Sequence, residues 1–248
     1  MTARIDSDDL AVRFQFDHQR RVVTPRLARL RRRGPESFGL AGVTLSVEPG
    51  EAVALLGASG SGKTTLLRAL AGVLVPDGGR LRVRGQVASL LSTGAGVMGQ
   101  LTGRENAHLL GVLGGLSRAE VDDSLPAIKE WSGLDESFEL PVSSYSEGMR
   151  GRLGFATAVV RRPEVLLLDE VHQSLDHAFR TKVEETAHEV VAAGGVLAAA
   201  GHDHAILQRL CERAIWLHKG KVRMDGPFAE VRTAYLASAD GTPAAPPA

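Results

Sequence analysis

Disulfide chemistry is closed to this chain. Its 248 residues hold one cysteine, Cys211, which leaves no internal bridge to form and suits a reducing compartment. Neither sign of charge is in excess. Twenty-nine Lys and Arg balance twenty-nine Asp and Glu, which excludes a globally basic nucleic-acid binder. With 44% hydrophobic and 23% charged residues, the composition is not that of a disordered chain. Long apolar runs are missing too. The longest, Val190 to Ala200, is rich in Gly and Ala and reaches about half of the ~20 residues a membrane helix requires. The N-terminus carries Asp6, Asp8 and Asp9 and no apolar signal-peptide core. A role at a membrane would therefore mean docking on something that crosses it. The length suits one large domain with room for a subdomain.

What is present is concentrated in a few stretches. Gly57-Ala58-Ser59-Gly60-Ser61-Gly62-Lys63-Thr64-Thr65 fits G-x-x-x-x-G-K-[ST], the phosphate-binding loop. The apolar run Val53 to Leu56 before it reads as a buried strand, and Thr65 to Leu70 after it as the start of a helix. Glycines let successive backbone N–H groups converge on one anion, and the helix N-terminus adds its dipole. Lys63 is placed for the β- and γ-phosphates and the Thr64 hydroxyl for Mg²⁺, so the pattern predicts nucleoside-triphosphate binding without naming the reaction.

The remainder alternates strands with helices, an α/β pattern with a largely parallel core sheet. Strands are expected at Val43–Val47, Leu81–Gly85, Val165–Asp169, Gly195–Ala200 and Ala214–Leu217. Short alternating strands before the loop suggest an added antiparallel layer. From Glu105 to Trp131 the composition is helical, broken at Gly114-Gly115, and reads as an inserted helical subdomain spanning about residues 98–160. Ala178 to Val191 is a further helix. The first thirty-odd residues read as irregular and basic: Met1 to Arg33 holds nine Arg against four Asp. The bland reading of that segment is a solvated loop, and the sharper one is contact with anionic headgroups or a phosphorylated lipid-linked glycan. The tail, residues 241–248, is rich in Pro and Ala and reads as disordered.

Three further groups bear on chemistry. Leu166-Leu167-Leu168-Asp169-Glu170 is a buried strand that ends in carboxylates, with Asp169 suited to holding Mg²⁺ through water and Glu170 to polarising an attacking water. Tyr145-Ser146-Glu147-Gly148-Met149-Arg150 opens a helical run, and its serine is either an ordinary N-cap or part of a second anion site. Two copies packed head to tail would use such a second site, each covering the other's nucleotide. His202, in Gly201-His202-Asp203-His204, follows a strand and could contact a γ-phosphate.

These motifs in this order resemble the nucleotide-binding domain of ABC transporters, over about Phe14 to Val231. The resemblance implies a P-loop ATPase core with an antiparallel β layer and an α-helical subdomain, one domain over residues 1–240. It makes the turn of Ser146 and Gly148 the signature motif, Asp176 in Ser174-Leu175-Asp176 part of the D-loop, and His202 the switch histidine. Phe14 becomes the best candidate to stack on adenine, with Phe16 and Phe38 as rivals. ATP and Mg²⁺ are the implied cofactors, and a second copy of the chain and an integral membrane permease the implied partners. The implied place is the cytoplasmic face of the membrane, with no nucleic acid involved. Finer features are similar to the ATPases that export O-antigen, capsule and teichoic acid. They are Gly94-Ala95-Gly96, Leu101 to Asn106, Tyr145 to Met149, Arg152-Leu153, Asp169-Glu170-Val171 and the basic insertion between Phe16 and Phe38. An exporter of a drug, lipid or peptide is the alternative. Two positions depart from the family: Thr93 stands where the Q-loop glutamine is expected, and Glu147 where many signature loops have Gly.

Overall fold

The computed structural model describes residues 2–15, 36–91, 96–169 and 176–239. Two sheets organise these residues. A six-stranded sheet runs in the order β5 (Val87–Leu90), β6 (Val165–Asp169), β7 (Val196–Ala200), β3 (Ala52–Leu56), β8 (Arg213–His218), β9 (Lys221–Pro227). It is parallel except for the β8–β9 pair. A three-stranded antiparallel sheet runs β2 (Glu36–Val47), β1 (Arg4–Gln15), β4 (Gly78–Arg84). The fold is the expected α/β P-loop core with its antiparallel layer.

The central strands read as unbroken apolar runs because both of their faces are covered. Val53, Leu55, Val165 and Leu167 point into a core shared with the antiparallel sheet and with α1 (Lys63–Leu70). Ala54, Leu56, Leu166 and Leu168 point the other way. There they meet α5 (His177–Ala192), α6 (His204–Leu210) and α7 (Phe228–Ala239) through Phe179, Val183, Ile206 and Phe228.

One expectation needs correction. The N-terminal segment is not irregular: residues 4–15 form β1. Its alternation is hidden by a change of parity. Ile5 and Ser7 face inward, and after a register shift between Ser7 and Leu10 the inward positions are Leu10 and Val12. Asp9, at φ 48°, sits in that shift. A bulge flips every later side chain to the opposite face, so a fixed period of two cannot find the strand. The basic stretch at 16–35 and the tail at 241–248 lie outside the described residues.

The helical layer holds α2 (Gly103–Leu113), α3 (Arg118–Ser132) and α4 (Glu147–Val159) around their own core of Ala107, Val121, Leu125, Ile128, Phe138 and Leu153. The break expected at Gly114-Gly115 separates α2 from α3. Both helices open with a reciprocal capping box, Thr102 with Glu105 and Ser117 with Glu120. The cap N–H groups hold both glutamate carboxyls below the usual range. Trp131, Phe155 and Phe179, with ring centroids 5.1–6.1 Å apart, pin α3 and α4 to α5.

Candidate functional site

Sheet register builds the site. In adjacent parallel strands Asp169 pairs with Ala200, and Ala200 with Leu55. The buried Asp169 carboxylate, the turn of Gly201 and His202, and the loop beginning at Gly57 therefore leave one edge of the sheet together, at the carboxyl ends of β6, β7 and β3. That edge is where open α/β sheets bind ligands.

The loop is shaped for an anion. Gly57, Gly60 and Gly62 all take positive φ, at 146°, 76° and 112°. At Gly62 a Cβ would lie 2.6 Å from the Gly39 carbonyl oxygen, whereas at Gly60 it would meet nothing within 4 Å. The α1 helix starts at Gly62 with no side-chain cap and no acidic residue in its first turn. By contrast α2 to α6 are capped by Thr102, Ser117, Ser146, Asp176 and Asp203. The first-turn N–H groups of an α-helix have no acceptor within it, and an uncapped start leaves them for an anion. Lys63 is buried, and its Nζ donates to the Gly57 carbonyl at 2.7 Å and the Ala58 carbonyl at 3.2 Å. The Ser61 hydroxyl is buried without a hydrogen-bond partner among the described residues.

The other expected residues fall in distinct places. Phe14 is 37% exposed, its ring against Gly39, which in turn abuts the Thr65 methyl. That puts an accessible aromatic beside the first turn of α1. Phe38 lies under the Arg13 guanidinium, 5.3 Å from its centroid. Ser146 caps α4, its hydroxyl accepting from the Met149 N–H at 3.2 Å, so Ser146 and Gly148 sit in the helical layer rather than at the strand ends. Asp176 caps α5, accepting from the Phe179 N–H at 2.8 Å. His202 is exposed beyond β7. Phe16, Thr93 and Glu170 lie outside the described residues.

Sequence reasoning missed how the turn of Ser146 is held. Asn106 is fully buried and clamps the loop before α2. Its Oδ1 accepts from the Met98 N–H at 2.8 Å, and its Nδ2 donates to the carbonyls of Met98, Leu101 and Thr102 at 3.0, 3.1 and 2.9 Å. That loop then braces the segment leading to Ser146. The Val142 N–H donates to Leu101 O at 2.9 Å and the Ser143 N–H to Gly99 O at 2.8 Å. A Cβ on Gly103 would collide with the Tyr145 hydroxyl, which itself donates to Ser137 O at 2.5 Å. The signal was a polar Asn on the inner face of a predicted helix.

The model of the family described as ABC transporter matches residues 40–173. The chain belongs to the ABC transporter family. The match spans more than half of the chain, from β2 through the loop at Gly57 and the turn of Ser146 to the strand ending at Asp169. As a member of that family the chain carries its ATPase domain. It is 35% identical over 203 residues to an O-antigen export system ATP-binding protein of Klebsiella pneumoniae, covering 82% of both chains. It is 36% identical over 200 residues to a teichoic acids export ATP-binding protein of Bacillus cereus, covering 81% of this chain and 36% of that longer one. Among solved structures, an ATP-binding cassette dimer in a post-hydrolysis state, bound to ADP and Pi, superposes with a TM-score of 0.72 at 19% identity. That match covers 90% of this chain and 98% of the other, and it bears on the fold alone.

The residues present fit the nucleotide that the family binds. An uncapped helix start, glycines whose φ only Gly adopts cheaply, a buried lysine amine and a buried strand-end carboxylate converge on one edge. The Thr64 hydroxyl and the Asp169 carboxylate are hard oxygen donors of the kind Mg²⁺ prefers.

Proposed function

We propose that this protein is the ATP-hydrolysing subunit of an exporter that moves a lipid-linked polysaccharide, of O-antigen, galactan or teichoic-acid type, across the cytoplasmic membrane. The observation that carries the cargo is the 35–36% identity, over four-fifths of the chain, to subunits named for O-antigen and teichoic-acid export. Residues 1–240 form the nucleotide-binding domain, with its helical subdomain over about 98–160 and the tail at 241–248 outside it. Gly57 to Thr65 cradle the phosphates, Lys63 neutralises them and Phe14 stacks on adenine. Thr64 and Asp169 hold Mg²⁺, which when bound offsets charge on the β- and γ-phosphates. Glu170 orients the attacking water, and His202 steadies the γ-phosphate. Ser146, Gly148 and Asp176 reach the nucleotide held by a second copy packed head to tail.

Among the described residues no helix is long and apolar enough to cross a membrane. The relatives' names, as ATP-binding proteins of export systems, support a peripheral subunit that works from the cytoplasmic face on an integral membrane permease. The arginines between Phe16 and Phe38 offer contact to anionic lipid or to the phosphate of the lipid-linked glycan. No nucleic acid enters this reading.

The test pairs kinetics with capture. Glu170→Gln should bind MgATP and dimerise yet release phosphate at a small fraction of the wild-type rate, and a wild-type rate would remove Glu170 from its role. Purification from detergent-solubilised membranes should recover a permease whose loss stops glycan export. Recovery with a permease whose loss leaves glycan export intact, and instead stops export of a drug or peptide, would overturn the cargo.

A further inference from the structure

The turn that carries His202 is tied to the root of the phosphate loop by a chain of rings running through the last helix. Asp203 fixes the start of α6, its Oδ1 accepting from the N–H groups of Ala205 and Ile206 at 2.9 and 3.2 Å. The next residue, His204, packs its ring against Tyr235 of α7 in an edge-to-face contact, with centroids 5.7 Å apart and an interplanar angle of 67°. Tyr235 in turn meets Trp216 at 5.7 Å and 70°, and Arg223 stacks over Trp216 at 4.5 Å. Trp216 is buried in β8 and pairs in register with Leu56, the residue before Gly57. The two sides of the phosphate edge, the loop root and the histidine turn, are thus linked through one residue of α7.

We infer that His204 and Tyr235 are positioning residues: by holding the start of α6 against α7, they set the direction in which His202 meets the γ-phosphate. Neither ring needs to touch nucleotide for this. α6 has seven residues: Ile206, Leu207 and Leu210 hold its body in the core, and the ring contact fixes its first residue, two positions after His202. The electrostatic setting agrees. Burial first, and then the positive charge of Arg232 and Lys63, keeps the His204 pKa below the usual imidazole value against the opposing pull of Asp203, which favours the neutral ring against Tyr235.

The inference rests on the role given to His202 above, and the experiment separates the two. Steady-state phosphate release by the purified full chain is measured for Tyr235→Ala, Tyr235→Phe and His204→Ala, each alone and combined with His202→Ala. A displaced catalytic group lowers kcat, here by roughly 10- to 100-fold, while a KM within about twofold shows that ground-state nucleotide binding is untouched. Tyr235→Phe should restore the rate, because the ring edge and not the hydroxyl makes the contact. In the His202→Ala background the Tyr235 and His204 changes should have no further effect on the residual rate. Unchanged kcat in folded Tyr235→Ala, or an equal further loss in the His202→Ala background, overturns the inference while leaving His202 its role. A wild-type rate for His202→Ala itself overturns that role and the inference with it. Should Tyr235→Ala fail to fold, His204→Ala, which removes the same contact from the partly exposed end of α6, carries the same outcomes.

Discussion

Removing the Asn106 amide should loosen the turn of Ser146 from more than one direction, and the structure sets the size of the effect. Asn106 makes four hydrogen bonds at full burial. Three of its partners keep another in Asn106→Ala. Met98 O still accepts from the Leu101 N–H, Leu101 O from the Val142 N–H and Thr102 O from the backbone N–H of residue 106. Only the Met98 N–H loses its acceptor. One orphaned donor costs about 1–3 kcal/mol, and the three weakened carbonyls and the small cavity bring the loss to about 2–4 kcal/mol. Asn106→Asp separates hydrogen bonding from packing. It keeps the shape and the acceptor for Met98, but sets a carboxylate against three carbonyl oxygens. Its folded-state pKa is therefore raised above the unfolded value. Sign follows from linkage: the folded form binds the proton more tightly, so stability is lost as pH rises through that raised pKa. Urea denaturation followed by circular dichroism should rank wild type above Asn106→Ala above Asn106→Asp at pH 7, with the Asp variant recovering as pH falls toward the unfolded carboxylate value of about 4. A cost below about 0.5 kcal/mol for Asn106→Ala, or an Asp variant as stable as wild type at pH 7, would show that the clamp does not hold this loop.

Gly60 and Gly62 of the phosphate loop give a matched pair. Both take positive φ, so Ala at either costs about 1–2 kcal/mol of backbone strain, but only at Gly62 does the new methyl also meet backbone, 2.6 Å from Gly39 O. Gly62→Ala should lose nucleotide binding and be the less stable of the two, and equal urea midpoints would refute the steric part. Cys211 is buried, and burial pushes its thiol up to about 12. Alkylation by iodoacetamide at pH 8 should leave the folded chain unmodified and label it in urea, whereas rapid labelling of the native protein would show that α6 opens readily.

How much of this was legible in the sequence depends on the reach of each contact. The loop at Gly57 and the strands ending at Leu56, Asp169 and Ala200 were readable. Full burial on both faces leaves an apolar run no polar residue interrupts, and the glycines mark backbone angles that other residues avoid. β1 was not readable, because the shift at Asp8 and Asp9 changes which parity faces the core. Neither was the α7 connection, since the apposition of His204 and Tyr235 depends on the β8–β9 hairpin between them returning the chain.

The stretch from Leu101 to Asn106 shows a different limit. Its resemblance to the polysaccharide exporters marked it without saying what it does, and the same was true of the stretch from Tyr145 to Met149. In the folded chain these two stretches are halves of one construction. Gly103 is small because the Tyr145 hydroxyl occupies the space a side chain would need, and Asn106 is polar because the loop it holds carries backbone groups that brace residues 141–143. Sequence similarity weighs residues that meet phosphate and residues that support them alike. Geometry separates Asp169, at the end of β6, and Lys63, at the first position of α1 after the Gly57 loop, from Asn106 and Tyr145, which lie in the helical layer and bond to its own backbone. The physical reason for these two motifs to stay together in one chain is therefore the placing of Ser146, and a swap of either stretch alone should cost more than a swap of both.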